Sequence, residues 1–229
     1  MSLYAISDLH LSKLVDKPMD VFGPLWENYE NRILEGFNNL KEDDVTVIPG
    51  DVSWGMTLKE SLLDFKFIDA LPGKKIISKG NHDYWWETAT KTKKFFAENE
   101  ITTIEILYNN AFLFNDIAVC GTRGWFYEEE NGGSRKIYER EVGRLRRSLE
   151  EGKLLGAEKL MCFLHYPPLC AGYECEEITE MLSEFSVQKC FYGHLHGYGH
   201  KSAFNGKHKG VEYALISADY LAFTPLFIG

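Results

Sequence analysis

Val45-Thr46-Val47-Ile48-Pro49-Gly50-Asp51 sets an apolar, largely β-branched run directly against a glycine and a carboxylate. The run has the length and residue types of a buried strand, and the Pro-Gly pair punctuates its end. The arrangement recurs on either side. Upstream, Leu3 to Ser7 runs into Asp8-Leu9-His10; downstream, Lys75 to Ser78 is followed by Gly80-Asn81-His82-Asp83. Farther along, Leu160 to Leu164 ends in His165, and Lys189 to Tyr192 runs into Gly193-His194-Leu195-His196. Between the first two runs Leu25, Tyr29, Ile33, Phe37 and Leu40 recur at helical spacing. Leu58, Leu62, Phe65 and Ile68 do so between the second and third, where Thr57-Leu58-Lys59-Glu60 has the residue types of a capping box. A βαβαβ start follows, and with it a largely parallel sheet with helices on its faces.

The middle changes character. Ile104 to Leu107, Ala111 to Phe114 and Ile117 to Cys120 are short strand-like runs separated by Asn109-Asn110 and Asn115-Asp116, so hairpins are expected at both pairs. A mixed-charge helix spans roughly Arg135 to Glu151. Strand-like runs at Val211 to Ile216 and Ala222 to Phe227 close the chain around Ser217-Ala218-Asp219. With 229 residues, one full domain over 1–229 is expected rather than two. Two sheets packed face to face would absorb this many strands. The expected fold class is therefore α/β, a four-layer α-β-β-α sandwich of two mixed sheets flanked by helices.

The carboxyl ends of parallel strands share one edge, where ligands bind, so polar blocks far apart in sequence are expected to meet there. Asp oxygens, an Asn carbonyl and neutral imidazoles suit Mn²⁺, Fe or Zn²⁺. No cysteine belongs to the set, which argues against a structural zinc site. In an extended Asp-x-His triplet, residues i and i+2 share a side, so Asp8 with His10 is expected to reach one ion from extended chain; His194 and His196 repeat the spacing. Gly50, Gly80 and Gly193 stand immediately before ligands, where the backbone must turn sharply or approach the metals closely.

Together these five ordered blocks, from residue 8 to residue 196, resemble the signature of the calcineurin-like metallophosphoesterases. The resemblance implies two metal ions, Mn, Fe or Zn, about 3.5–4 Å apart. It places Asp8, His10 and His196 on the first ion, Asp51 between the two, and Asn81, His165 and His194 on the second. It implies a phosphomonoester or phosphodiester hydrolase with a metal-bridging hydroxide as nucleophile. His82 resembles the family's histidine that contacts a phosphoryl oxygen or protonates the leaving group, with Asp83 orienting it and favouring its protonated form. Many members carry another acidic residue shortly after Gly-Asp; here Asp51 is followed by Val52-Ser53-Trp54-Gly55. Trp54, with Trp85 and Trp86, is a candidate substrate wall, and Arg123 a candidate donor to phosphate oxygens. Phe126 to Ser134 is a candidate specificity loop.

A lone histidine is usually a surface or satisfied core residue, and His200 and His208 are left in that class. The net charge of −9 disfavours nucleic-acid polymers and anionic membrane surfaces. A small-molecule phosphate ester is the expected substrate, with a protein phosphatase or a non-catalytic metal-binding scaffold of the same fold as alternatives. Five cysteines without a Cys-x-x-Cys pair, and a start lacking a signal-peptide pattern, point to reduced thiols and a cytoplasmic protein. Cys120, Cys162 and Cys190 read as core fillers. Oligomeric state is not encoded in these motifs.

Overall fold

A computed structural model describes residues 1–125 and 135–229; the expected specificity loop at 126–134 lies outside the described residues. The strands β1 (Leu3–Ala5), β2 (Val45–Pro49), β3 (Lys74–Ser78) and β4 (Ile104–Ile106) pair in parallel, in that order. The helices α1 (Tyr29–Phe37), α2 (Leu62–Asp69) and α3 (Ala89–Glu98) connect them. A second sheet contains β5 (Ala111–Phe114), β6 (Ile117–Thr122), β7 (Lys159–Leu164), β10 (Lys189–Tyr192), β11 (Gly206–His208) and β12 (Val211–Leu215). Its order is β11-β12-β10-β7-β6-β5, with parallel pairing from β12 to β6 and antiparallel edges. The helices α4 (Arg135–Leu154) and α5 (Glu176–Glu184) belong to this half, and β8 (Leu169–Cys170) with β9 (Tyr173–Glu174) makes a small separate hairpin.

Side-chain alternation along each strand builds the layers. Val45, Val47 and Ile76 meet Val119, Met161, Phe163 and Phe191 in a core between the sheets. Ile48 and Ile77 face the other way, onto Ile33 and Phe37 of α1, Phe65 and Ile68 of α2 and Phe96 of α3. On the far side Cys120, Cys162 and Cys190 pack under Leu145 and Leu149 of α4 and Ile178 and Leu182 of α5. The four-layer α-β-β-α sandwich of two mixed sheets is thus the observed fold. All five cysteines are free thiols, and the three expected in the core are fully buried. Among the described residues no helix is long and apolar enough to cross a membrane.

Local departures have physical causes. Asn115-Asp116 does close a hairpin between β5 and β6, with Asn115 left-handed at φ 50°. Asn109-Asn110 does not: β4 stays in the first sheet and β5 starts the second, so this turn carries the chain across the sandwich. The strand expected from Ala222 shrinks to β13 (Leu226–Phe227), antiparallel to β1, because Ala222 and Phe223 are left-handed at φ 51° and 63° and Phe223 turns into the first core. The box at Thr57 closes a turn ahead of α2 rather than its first turn. Glu60 N–H donates to Thr57 Oγ1 at 3.3 Å, and the Glu60 carboxylate accepts from Met56 N–H at 2.8 Å.

Candidate metal centre

The chain segments leaving the strands are laced together before any side chain is considered. Asp8 N–H donates to Gly50 O, His10 N–H to Asp51 O and Leu11 N–H to Val52 O, while Gly193 N–H donates to His165 O. Four expected ligands, Asp8, His10, Asp51 and His194, take left-handed backbone angles, φ 62°, 48°, 50° and 71°. Non-glycine residues hold such angles when the surroundings over-determine them, and they cluster at functional sites. Asp8 and His10 therefore converge through a left-handed turn and not along extended chain, which corrects the expectation for that triplet.

The glycines show how close the loops run. Gly50 is at φ 99°, and a Cβ there would lie 2.7 Å from Gly80 Cα and 2.8 Å from His165 Nδ1. A Cβ at Gly80 would overlap the Asp51 carboxylate, and one at Gly193 the Asp8 carboxylate and the Ser7 hydroxyl. Only a hydrogen fits in these places, as the positions of the three glycines suggested.

All seven expected ligands come together. His196 Nε2 lies 3.3 Å from both Asp8 Oδ1 and His10 Nε2. Asp51 Oδ2 lies between His10 Nε2 at 3.7 Å and His165 Nε2 at 3.4 Å. Asn81 Oδ1 approaches His165 Nε2 at 2.6 Å and His194 Nδ1 at 2.9 Å. Asp8, His10 and His196 form one group with donor atoms within 4.8 Å of one another, and Asp8, Asp51 and His165 form a second. Asp8 is also held by His194 N–H and the Ser217 hydroxyl. Both carboxylates are essentially inaccessible, and among the described residues no lysine or arginine pairs with either. Buried charges are paired or coordinate metals. This donor set, with His165 Nδ1 buried, without a hydrogen-bond partner among the described residues and 3.7 Å from Asp8 Oδ1, fits cations.

The titration behaviour of the metal-free chain has the same origin. Burial raises Asp51 well above the usual carboxylate range, reinforced by Asp83 and Asp8. Burial also opposes ionisation of Asp8, but His196, His165 and His10 outweigh it and hold Asp8 below that range. Burial takes His165 down to about 3. It acts in the same direction on His196, yet Asp8 and Asp219 prevail and raise that imidazole to about 10. Burial first, and then the neighbouring Asp83 and Asp8 charges, therefore disfavour ionisation of Asp51.

Asp83 does something other than orient His82. Its fully buried carboxylate accepts five hydrogen bonds: Asp51 N–H at 2.8 Å and Gly80 N–H at 2.7 Å on Oδ2, and Val52 N–H, Ser53 N–H and the Trp85 indole on Oδ1. It is a staple that holds the loop after β2 to the loop after β3. His82 Nδ1 has no hydrogen-bond partner among the described residues, and the imidazole is shifted down, by burial and then by His194, rather than held protonated. The His82 backbone N–H donates to Asp51 Oδ1, and its ring stands 4.3 Å from Trp54 and 5.7 Å from His10.

Trp54 stacks on His10 at 5.0 Å between ring centroids, and its indole N–H donates to Met19 Sδ. It lines a cleft of about 470 Å³ that opens onto His10, His82 and His196. Trp85 is a core residue packed edge-on against Phe65, because its N–H is consumed by Asp83 inside the fold. Trp86 lines a different depression with Tyr84 and Phe95, so neither belongs to the wall of the metal site. Arg123 follows β6 as His165 follows β7, the register pairing Thr122 with Leu164. Its carbonyl accepts from His165 and Tyr166 N–H, and its guanidinium lies 4.7 Å above Trp125. With Lys79 and Arg144 it lines a small cavity of about 80 Å³ beside the ligand loops.

Two further side chains stand at the site, the first of them not expected. Asp219, noted only as part of a turn, accepts from His196 Nδ1 at 2.9 Å and Gly197 N–H at 3.0 Å, and lies 3.1 Å from His200 Nε2. A carboxylate on the far nitrogen of a ligating histidine fixes its tautomer and aims the other nitrogen at the metal. The second is Tyr166, whose ring stands 4.5 Å from His194. A histidine followed about two dozen residues later by an aspartate carries no spacing signal, so only the fold reveals the first pairing.

A four-layer sandwich with Asp, His and Asn side chains gathered at its strand ends is an arrangement able to hold metal ions. Residues 1–198 match the calcineurin-like phosphoesterase family, and the chain belongs to it. Among solved structures it is similar to a phosphopantetheinyl hydrolase from Mycobacterium tuberculosis, at 13% identity and a TM-score of 0.61, covering 99% of this chain and 95% of that one. It is also similar to a protein of Thermus thermophilus, TT1561, at 13% identity and a TM-score of 0.51, covering 87% and 85%. These likenesses concern the fold. No curated protein matches the chain.

Proposed function

We propose that this chain hydrolyses small-molecule phosphate esters at a centre of two metal ions, Mn, Fe or Zn. The observation that carries the reading is the pair of buried carboxylates, Asp8 and Asp51, ringed by imidazoles and without a lysine or arginine partner among the described residues. Asp8, His10, Asp51, Asn81, His165, His194 and His196 are the residues that would hold the ions. When bound, the ions supply Lewis acidity toward a phosphoryl oxygen and lower the pKa of a coordinated water.

The protein's own groups do the rest. Asp219 keeps the proton of His196 on Nδ1 and so presents Nε2 to the cluster. Asp83 holds the backbone of Asp51 and Gly80 in place. His82, outside the ligand groups and on the cleft side, donates a hydrogen bond to a phosphoryl oxygen or a proton to the departing alkoxide. Arg123 and Lys79 add positive potential beside the ligand loops and attract an anionic ester.

The test is hydrolysis of bis-p-nitrophenyl phosphate and p-nitrophenyl phosphate after Mn²⁺ reconstitution, with Asp51→Asn and His82→Ala as controls. Metal-dependent turnover should fall in both variants, with metal content retained in His82→Ala. Its absence for both esters in folded, metal-loaded protein would favour a binding scaffold instead.

A further inference from the structure

The mouth of the metal site is unevenly built. The 470 Å³ cleft has His10, His82 and His196 at one end, and its other lining side chains are Met19, Phe22, Leu25, Trp26, Trp54 and Tyr198. Three of these stand in solvent: Phe22 is 67% exposed, Leu25 46% and Tyr198 90%. They rise from short 3₁₀ segments far apart in sequence, Met19–Phe22 continuing into Pro24–Trp26, and Gly197–Ser202. Neither Phe22 nor Leu25 packs against the cores. Water-exposed apolar side chains grouped around a concave site mark a ligand surface. Among the described residues no lysine, arginine or acid lines this cleft, while the cations Lys79, Arg123 and Arg144 line a different cavity.

We propose that the cleft takes the non-phosphoryl part of the substrate and that this part is an extended apolar group, an alkyl or acyl chain. The proposal rests on the phosphoesterase reading above. Continuity decides the occupant: His10, His82 and His196 line the cleft, so whatever fills it adjoins a phosphoryl group held by the ligand cluster. A sugar or other polyhydroxylated group would find few hydrogen-bond partners along these walls, the histidines and the Tyr198 hydroxyl, and would leave most of its hydroxyls unpaired. Trp54 is already engaged by His10, His82 and Met19, so it is offered as a wall and not as a free platform for a nucleobase.

The experiment is a chain-length series, ethyl through octyl, of n-alkyl phosphates and n-alkyl p-nitrophenyl phosphates on Mn²⁺-loaded enzyme. Beyond ethyl, chain length hardly alters the leaving-group pKa, so differences report contact with the protein. The kcat/KM should rise by roughly three- to fourfold per buried methylene, until the chain outgrows the cleft. Phe22→Ser with Leu25→Ser should flatten the series. Leu154→Ser, at an exposed site on α4, should leave its slope unchanged. A readout without turnover is titration of the protein with n-alkylphosphonates, whose Kd should fall by a similar factor per methylene. A flat series in the wild type, or a slope that survives the double substitution, overturns the proposal. Loss of all metal-dependent turnover, including that of p-nitrophenyl phosphate, would overturn the phosphoesterase reading instead.

Discussion

Replacing Asp83 with Asn keeps the shape of the side chain and changes only what it can accept. In the native fold one oxygen receives two N–H donors, from Asp51 and Gly80, and the other three, from Val52, Ser53 and Trp85. An amide has one acceptor oxygen, and its NH₂ must point at donors whichever way it is flipped. The better orientation still strands two buried N–H groups, each costing about 1–3 kcal/mol. Burial already pushes the Asp83 carboxyl up to about 6, so removing its charge offsets part of that loss. We expect a net destabilisation of about 2–4 kcal/mol, a large share of the roughly 5–15 kcal/mol typical of a whole domain. For a chain of this size that lowers Tm by on the order of 10 °C. Circular dichroism melts in excess chelator measure this, because lost metal binding then contributes nothing. A Tm within about 2 °C of wild type would refute the staple, since shifts that small correspond to less than one stranded donor. Asp83 would then return to a role at His82.

Asp219→Asn should weaken metal retention by roughly 10–100-fold without unfolding the chain, read by metal analysis after dialysis against graded chelator. Gly80→Ala forces a methyl into the Asp51 carboxylate and should abolish metal-dependent turnover. Gly143→Ala, on α4 with open space around it, should instead stabilise by roughly 0.5–1 kcal/mol in denaturant melts. Lys75 is buried on β3, its ammonium donating to the carbonyls of Leu71 and Gly73, and burial lowers it to about 8. Its folded pKa lies below its ordinary value of 10.5, so the fold carries a penalty below pH 8 that is relieved as pH rises toward 10.5. Wild-type stability minus that of Lys75→Met should therefore climb across that window in urea titrations at stepped pH; a flat difference would mean the lysine is not desolvated.

Several layers of this protein were legible in its residues. The run from Val45 to Asp51 reads as strand-then-ligand, and β2 and β5 have the bounds expected. Alternation along the strands is enforced by burial on both faces, and glycine before each ligand block is enforced by the absence of room for a Cβ. Both are short-range constraints, so they leave marks within a few residues. The seven candidate ligands share a place for the same reason: each follows its strand by only a few positions, and parallel pairing carries their strand ends to a common edge.

Other features depend on contacts with no fixed sequence separation. Asn109-Asn110 and Asn115-Asp116 look alike as turns, and only the competition for sheet edges makes one a crossover and the other a hairpin. Asp83 lies beside His82 in the chain, but its oxygens face the backbone of the loop after β2, so adjacency suggested the wrong partner. Asp219 reaches His196 from the segment that follows β12, and Trp85 folds inward while Trp54 lines the cleft. What the residues alone determined was therefore the periodic, local part: strands, helices and the ligand types at their ends. Which carboxylate serves which histidine, and which aromatic meets solvent, was decided by three-dimensional packing, because hydrogen bonds and burial select partners by distance in space and not by position along the chain.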